Sequence, residues 1–464
     1  MRNGVLQLSA VAITAVLAAP TAAGAAPVTE AVSVTEHGRT GPDKGTLGSL
    51  GSDLSTNGRY IVFESYARLT KDDDGGEADV FWRDLKTRKT HRMSKSTRGR
   101  EADAPSLFPS ISGDGRLVAY SSSATNLVRG DTNMTPCPPR EVDEDCQPEP
   151  AGDVFVRNVR KRTTRRVSVS SDGAQGNGSS GLASISANGR YVVFQSTATN
   201  LVEGDVNGHS DIFIRDLELR RTRLGSVSSD EKPSDGDCLS SAVSADGRYV
   251  AFNCSTTNLV PNDINEADDL FVRDLKEGTT TLVSVSSEGV QGNDFINSFD
   301  MSDDGRVFAF ATSASNLVPN DTNRPATPDR SQSGADVFVR DLDAGTTRRV
   351  SVTRDGEQSP IDSGNPALSP DGRFVAFASE SEQLVPGSDA NGFLSDVFVR
   401  SVKRDASLRR VSVSTAGSQG NGYSVEPALS RNGRYVSFQS AASNLVRRDR
   451  NKTSDVFRRG PLTK

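Results

Sequence analysis

A sevenfold internal repeat constrains this sequence more than any other feature. The string Asn/Asp-Gly-Arg before an apolar run occurs seven times, with its glycines spaced by 57, 74, 58, 58, 67 and 61 residues. A second string, DVFVRDL or a close variant, also occurs seven times, and most copies are followed by a Val-Ser-Val run. Periods of this length are typical of repeat folds that stack one supersecondary unit many times. The glycines are Gly58, Gly115, Gly189, Gly247, Gly305, Gly372 and Gly433, and the second strings begin at Asp79, Asp153, Asp211, Asp269, Asp336, Asp396 and Asp455.

Each repeat reads as four short strands. The Asn-Gly or Asp-Gly step between two apolar runs is a strong hairpin signal, because these residues tolerate the positive φ of a tight turn. DVFVRDL supplies a third strand, and the Val-Ser-Val run is predicted to be the fourth, most clearly at 165–170, 282–287, 348–353 and 409–415. The strands are almost continuously apolar, so both faces of each small sheet should be buried against neighbouring sheets, as in a propeller.

The ends of the repeat predict how the ring closes. The sequence stops just after the seventh DVF run, whereas an extra Val-Ser-Val run stands at residues 31–35. A strand there would complete the last sheet and leave no open edge. We therefore predict an all-β fold, a single seven-bladed β-propeller of four-stranded blades over residues 28–464, closed by an N-terminal strand.

The repeat S-x-D-G-R-Y-V-A-F, D-V-F-V-R-D-L, G-T-T resembles the TolB-type, WD40-like (PD40) β-propeller repeat over residues 28–464. The resemblance implies a periplasmic or secreted scaffold that binds a protein or another ligand. No separate N-terminal α/β domain is evident, so the envelope role of TolB itself is not inferred. Propellers host binding, scaffolding and catalysis alike, so the resemblance is specific for fold and not for function.

Composition and the N-terminal segment indicate where the protein is located and which partners are excluded. Residues 1–25 combine Arg2, an apolar centre and small residues, which predicts a cleaved signal peptide and a secreted, extracellular or periplasmic protein. No second long apolar segment follows, so the mature chain should have no membrane span. A formal net charge of -6 with interspersed signs argues against a nucleic-acid partner.

The four cysteines agree with export. Cys137 and Cys146 bracket a Pro-rich acidic segment, while Cys238 and Cys254 flank a predicted hairpin that would place their sulfurs on facing strands. Local geometry favours these two pairings among the three that are open, and a zinc site is the alternative.

The connections between second and third strands carry the one pattern suggestive of metal chemistry. They share a face with the blade-to-blade connections, and insertions fall there at 132–152, 323–335 and near Asp389. Six of the seven read D-x-N, and in blades three, four and seven the Asp that opens the third strand follows six residues after the first Asp. Alternating oxygen donors suit a hard cation such as calcium, whereas Asx turns are the alternative interpretation. The candidate ligands are Asp131, Asn133, Asp205, Asn207, Asp211, Asp263, Asn265, Asp269, Asp321, Asn323, Asp389, Asn391, Asp449, Asn451 and Asp455.

Two sets of recurring arginines are expected to pair with aspartates within or between blades. One set follows the glycine turns and the other ends the third strands, in the order Arg83, Arg157, Arg215, Arg273, Arg340, Arg400 and Arg459. Seven equivalent arginines indicate architecture rather than seven active sites.

No nucleophile elbow, HExxH zinc motif or phosphate loop is present, and no catalytic residue is assigned. The sequence favours a non-enzymatic, monomeric binding scaffold that recognises a protein or cell-surface glycan through its loop-rich face, with calcium as a structural ion. The alternative is a polysaccharide-active hydrolase or lyase that uses carboxylates on the same face.

Overall fold

The structure is a computed structural model, and seven four-stranded antiparallel sheets and one short hairpin make up its strands. It describes residues 26–463 except 36, 39–47, 74–75, 136–148, 266, 323–333, 388, 404–407, 448, 450 and 452. The predicted signal peptide and the predicted Cys137–Cys146 pair lie outside the described residues. The predicted fold class is confirmed.

Each blade has an inner, a second, a third and an outer strand, in that order from the ring axis. The first four blades consist of β2 to β19, apart from the hairpin of β8 and β9. Their bounds are β2 Ser49–Leu54, β3 Tyr60–Ser65, β4 Asp79–Asp84, β5 Lys89–Arg92, β6 Ser106–Ile111, β7 Leu117–Ser122, β8 Met134–Thr135, β9 Glu149–Pro150, β10 Asp153–Asn158, β11 Thr163–Arg166, β12 Ser180–Ile185, β13 Tyr191–Ser196, β14 Asp211–Asp216, β15 Arg221–Leu224, β16 Cys238–Val243, β17 Tyr249–Cys254, β18 Asp269–Asp274 and β19 Thr279–Leu282.

Blades five and six follow in the same order, and blade seven joins the two ends of the chain. A 3-10 turn at Arg431–Gly433 is the one helical element among the described residues. The remaining strands are β1 Val28–Ala31, β20 Ile296–Met301, β21 Val307–Thr312, β22 Asp336–Asp341, β23 Thr346–Arg349, β24 Ser363–Leu368, β25 Phe374–Ser379, β26 Asp396–Ser401, β27 Arg409–Arg410, β28 Ser424–Leu429, β29 Val436–Ser440 and β30 Asp455–Gly460.

The ring closes through strand β1. It pairs antiparallel with β30, with Val28 opposite Gly460 and Ala31 opposite Phe457. Each inner strand contacts the inner strands of both neighbouring blades, including β28 against β2. The predicted N-terminal closing strand is confirmed, but the paired residues are 28–31 rather than 31–35.

The same offset appears at the outer strands, where the predicted assignment to the Val-Ser-Val run was wrong. In blade two the outer strand is Thr163–Arg166, and the run begins only at Val167. The hydroxyl of Ser168 in the middle of the run donates to Asp153, the residue that opens the third strand, and Ser168 Oγ accepts from the Val154 N–H at 3.1 Å. The serine therefore anchors the run to the third strand of its own blade. The chain then leaves the sheet instead of pairing further with that strand.

This Asp–Ser contact is present in all seven blades. Every one of the acceptor carboxylates is buried. The seven strand-opening aspartates are thus architectural residues, because each satisfies a buried hydroxyl and fixes the chain that leaves the blade. The pairs are Ser94–Asp79, Ser168–Asp153, Ser226–Asp211, Ser284–Asp269, Ser351–Asp336, Ser412–Asp396 and Ser33–Asp455.

A second polar contact recurs between inner and second strands. In five blades two serines sixteen residues apart share a hydrogen bond of 2.8 to 3.0 Å between their hydroxyls, as between Ser180 and Ser196. Blade four places Cys238 and Cys254 at this position, and they form a disulfide. The predicted Cys238–Cys254 pairing is confirmed, and a disulfide is typical of proteins outside the reducing cytosol.

The arginines that end the third strands connect neighbouring blades, but their partners differ from those predicted. Arg215 donates to the Val169 and Ser170 carbonyls of the preceding blade at 3.3 and 2.8 Å and to Thr222 of its own blade at 2.8 Å. All seven arginines reach main-chain carbonyls of the preceding blade in this way. The preceding Val-Ser-Val run ends beside each guanidinium, so its carbonyl oxygens rather than carboxylates receive most of these bonds.

The arginines after the glycine turns pair with aspartates of their own blade in six blades, as predicted, at 3.3 to 3.9 Å for Arg116, Arg306 and Arg373. Arg59, Arg190 and Arg248 pair with the aspartates that end their own third strands, at 2.6 to 2.7 Å. The glycine beside them has a steric role: Gly247 has a φ of +79°, and a Cβ there would lie 1.9 Å from the ring of Tyr191 in the preceding blade. The repeat therefore requires glycine at this position for both conformation and packing between blades.

Candidate functional site

The loop-rich face is the end of the ring where second-to-third connections, blade-to-blade connections and the beginnings of the inner strands meet. It carries most of the exposed apolar surface. Ten of the twelve large apolar side chains that are exposed in the described part of the chain lie there by topology. Val206 and Ile264 are the middle residues of two D-x-N connections, and they are 88% and 81% exposed. The others are Phe108, Met134, Leu239, Val290, Phe295, Phe393, Leu394 and Tyr423.

Beneath this exposed layer, the D-x-N connections place their first Asp next to the Asp that opens the third strand of the same blade. In blade two, Gln175 donates to Asp131 at 2.8 Å and to Asp153 at 3.0 Å. The guanidinium of Arg166, the last residue of the outer strand, lies 3.0 Å from each of the same two carboxylates. The pair of buried acids is therefore neutralised in part by a cation that the chain itself supplies.

Blades five and six repeat this arrangement. Arg349 contacts Asp321 and Asp336 at 3.1 and 3.0 Å, and Arg410 contacts Asp389 and Asp396 at 3.4 and 3.2 Å. Gln358 and Gln419 donate to the corresponding carboxylates. We call this unit of two carboxylates with its arginine the acid–arginine site.

Blade one has the same site with different acids. Oxygens of Asp73, Asp79 and Glu101 lie within 4.8 Å of one another, which is compact enough to hold a metal ion. The Arg92 guanidinium already contacts all three, with Asp79 at 3.2 Å and Asp73 at 3.9 Å. Burial raises the pKa of Asp79 to about 7 against the opposing effect of Ser94 and Arg92. This acidic site is thus a further acid–arginine site.

Blades three and four lack the arginine. The residue opposite the third-strand Phe is Arg166 in blade two, but it is Leu224 in blade three and Leu282 in blade four. In the described structure no lysine or arginine forms an ion pair with Asp205 or Asp211, the two acids of blade three. Burial, followed by the charge of Asp211, raises the pKa of Asp205 to about 6.

The predicted metal ligands are therefore divided among four situations, of which blade seven is the last. The carboxylates of blades two, five and six are brought together and paired with arginine, those of blades three and four are brought together without it, and Asn323 lies outside the described residues. In blade seven Ser33 donates to Asp455 at 2.5 Å, and Ala31 stands at the arginine position. The ligand prediction itself stays a prediction.

The alternative of Asx turns also has support. Asn207 and Asn265 each accept a hydrogen bond at 3.1 Å from the main-chain N–H two residues further on. These asparagines shape their connections through local hydrogen bonds, whether or not an ion is nearby.

A central cavity of about 270 Å³, which the sequence did not predict, opens toward the opposite face, among the glycine turns. Asp53 and Asp300 lie in its wall, on the inner strands of blades one and five. Burial raises the pKa of Asp300 to about 7, although the Leu368 and Met301 N–H groups donate to it. A sequence signal existed, because the other five repeats have serine or alanine at this inner-strand position.

Among known proteins, the chain is similar to solved structures of low sequence identity. No family model matches the sequence, and no curated protein matches it. Similar solved structures include TolB from Acinetobacter baumannii, at 15% identity over 83% of this chain and 67% of that one with a TM-score of 0.39. The chain is a seven-bladed β-propeller by its own sheet topology.

Two further solved structures are also similar to this chain. The oligogalacturonate lyase of Vibrio parahaemolyticus matches at 11% identity over 90% of both chains with a TM-score of 0.47. The propeller domain of the trilobed protease from Pyrococcus furiosus matches at 10% identity over 90% of this chain and 99% of that domain with a TM-score of 0.49. Among the described residues of the propeller, no helix is long and apolar enough to cross a membrane.

Proposed function

We propose that this propeller is a secreted, monomeric, non-enzymatic scaffold whose loop-rich face binds another protein. The observation that carries the proposal is the concentration of exposed apolar side chains on that face. Exposed apolar surface in a monomer marks interaction sites when its members share one surface. A protein partner fits this set better than a glycan, because Val206, Leu239, Ile264 and Leu394 are aliphatic and offer no hydrogen bond to a sugar hydroxyl.

Two features of the scaffold favour this use. The exposed side chains stand on connections whose ends are fixed by buried Asp–Ser contacts, so the surface is held in place before a partner arrives. Interfaces of this kind lose less conformational entropy on binding. Calcium, as predicted for the D-x-N connections, would act as a structural ion beneath the same surface and hold it in shape.

The test is capture of extracellular and cell-surface material on the immobilised mature protein. We expect the triple variant Ile264→Ser, Phe393→Ser, Tyr423→Ser to lose capture. Leu219→Ser is the matched control, because Leu219 is 70% exposed, as is Phe393, but lies on the opposite face. Circular dichroism should show that both variants stay folded.

Protease and periodate treatment of the captured material separates the partner classes. Loss of capture after proteolysis supports a protein partner, whereas loss after periodate oxidation alone would identify a glycan and contradict the proposal. Capture that the triple variant retains would show that the loop-rich face is not the binding surface. Turnover of pooled polysaccharides by the wild-type protein would instead support the enzymatic alternative.

A further inference from the structure

The seven blades offer an internal comparison at one position of the repeat. Opposite the third-strand Phe, the outer strand has arginine in blades one, two, five and six. In blades three and four it has leucine. The two carboxylates that the arginine would contact are nevertheless retained in both of these blades, at Asp205 with Asp211 and at Asp263 with Asp269.

Blade three has fewer donors for its two acids than blades two, five and six. The glutamine that donates to both carboxylates in blades two, five and six is replaced by Pro233. Asp211 is fully buried and accepts bonds from Ser226 at 2.5 Å and from Asn207 at 2.7 Å. Asp205 is 6% exposed, and its Oδ1 is buried without a hydrogen-bond partner.

Blade four is intermediate. Gln291 donates to Asp263 and to Asp269, at 2.6 Å in both cases, and Ser284 donates to the other oxygen of Asp269. Asp263 is 9% exposed, and its Oδ2 is buried without a partner. No lysine or arginine within the described ranges pairs with either acid.

Burying carboxylates without a compensating charge is costly, and a chain usually supplies a cation or neutralises the acid. Four blades supply the arginine. Blades three and four instead each have two acids, one buried carboxylate oxygen without a hydrogen-bond partner, and a leucine where the arginine would be. Carboxylate oxygens are donors that suit a hard divalent ion.

We propose that blades three and four each bind a divalent hard cation, of the calcium class, at the position that an arginine guanidinium occupies in blades one, two, five and six. Asp205 and Asp211 would hold the ion in blade three, and Asp263 and Asp269 would hold it in blade four. The ion in blades three and four and the guanidinium in the other four blades would thus each compensate the charge of two adjacent buried carboxylates. This inference rests on the structural role proposed for calcium, and it is independent of the partner that the loop-rich face binds.

The test uses calcium chloride alone, with EDTA-treated full-length mature protein at neutral pH. We expect isothermal titration to detect calcium binding and the melting temperature to rise. Asp205→Asn should lower the calcium-dependent shift, and Asp205→Asn with Asp263→Asn should reduce it further. Asp131→Asn in blade two is the matched control, because its carboxylate contacts Arg166, and it should retain the full shift.

Leu224→Arg gives a second, independent reading. It introduces the guanidinium of the neighbouring blades, so it should abolish calcium binding in blade three without removing a carboxylate. No calcium binding by the wild-type protein, or an equal response in wild type and the double Asp→Asn variant, would overturn the proposal. If Leu224→Arg does not fold, the titration of Asp205→Asn against Asp131→Asn decides alone. Capture by the loop-rich face has a different readout, so failure of one proposal is distinguishable from failure of the other.

Discussion

Blades two and three have almost the same backbone and differ in how they handle buried charge. Both bring two aspartates together beneath the loop-rich face, and in both a serine donates to the strand-opening Asp. Blade two adds Arg166 and Gln175 to its acids, while blade three has Leu224 and Pro233 at these positions. The repeat therefore preserves the acids and the fold, and varies the groups that compensate their charge.

The largest expected effect comes from making blade two resemble blade three. Arg166→Leu leaves Asp131 and Asp153 buried without their cation. Removal of one partner of a buried ion pair costs about 3 to 5 kcal/mol. Urea unfolding with EDTA present should show a loss of this order, and Arg160→Leu on the exposed link of the same blade should cost less than about 0.5 kcal/mol.

Calcium sharpens this prediction. If a calcium ion can replace the Arg166 guanidinium, millimolar calcium should restore part of the stability of Arg166→Leu. An equal loss of stability with and without calcium would show that blade two cannot exchange its arginine for an ion.

Blade four tests whether a covalent link only replaces a polar contact. Cys238→Ser with Cys254→Ser would recreate the serine pair that five other blades have at this position. Closing a loop of this length with a disulfide stabilises by about 3 kcal/mol in the chain-entropy model. We expect the double variant to fold with a loss of about 2 to 4 kcal/mol, measured by urea unfolding. Complete failure to fold would mean that the serine pair is not equivalent to the disulfide.

The serine contacts should differ in importance between the two blades. Ser226→Ala removes one of two hydrogen bonds to Asp211, whereas Ser168→Ala leaves Asp153 with Arg166 and Gln175. An unsatisfied buried acceptor costs about 1 to 3 kcal/mol, so Ser226→Ala should cost about 1 kcal/mol more than Ser168→Ala in metal-free protein. Equal costs, measured by urea unfolding in EDTA, would contradict this difference.

The smallest effect is expected from making blade three resemble blade two. Leu224→Arg gives the buried acids a cation, which should raise the free energy of unfolding of metal-free protein by about 1 kcal/mol, because hydrogen bonds to charged groups exceed the loss of apolar contact only modestly. Differential scanning calorimetry in EDTA measures the shift, with Leu224→Met as the control for size. A loss of stability in Leu224→Arg alone would show that the site cannot hold a guanidinium.

Local patterns in the sequence were sufficient for the repeat, the hairpin turns and the closing strand. They failed at the outer strands, because the Val-Ser-Val run looks like a strand. Its serine instead bonds to an Asp that is fifteen or more residues away in the chain, as Ser94 bonds to Asp79. They also predicted aspartate partners for the third-strand arginines, since no sequence pattern shows that carbonyls of the preceding blade would lie beside them.

The sequence by itself determined the number of blades, the Cys238–Cys254 pairing and the residues of the acidic pattern, because each depends on residues close in the chain. Only the tertiary structure decided which acids have a cation. The relevant arginine is the last residue of an outer strand, and the antiparallel register sets it opposite the third-strand Phe, beside two carboxylates that belong to other segments. Buried charge depends on what packs around it in three dimensions, so the difference between Arg166 and Leu224 acquires its meaning only in the folded ring.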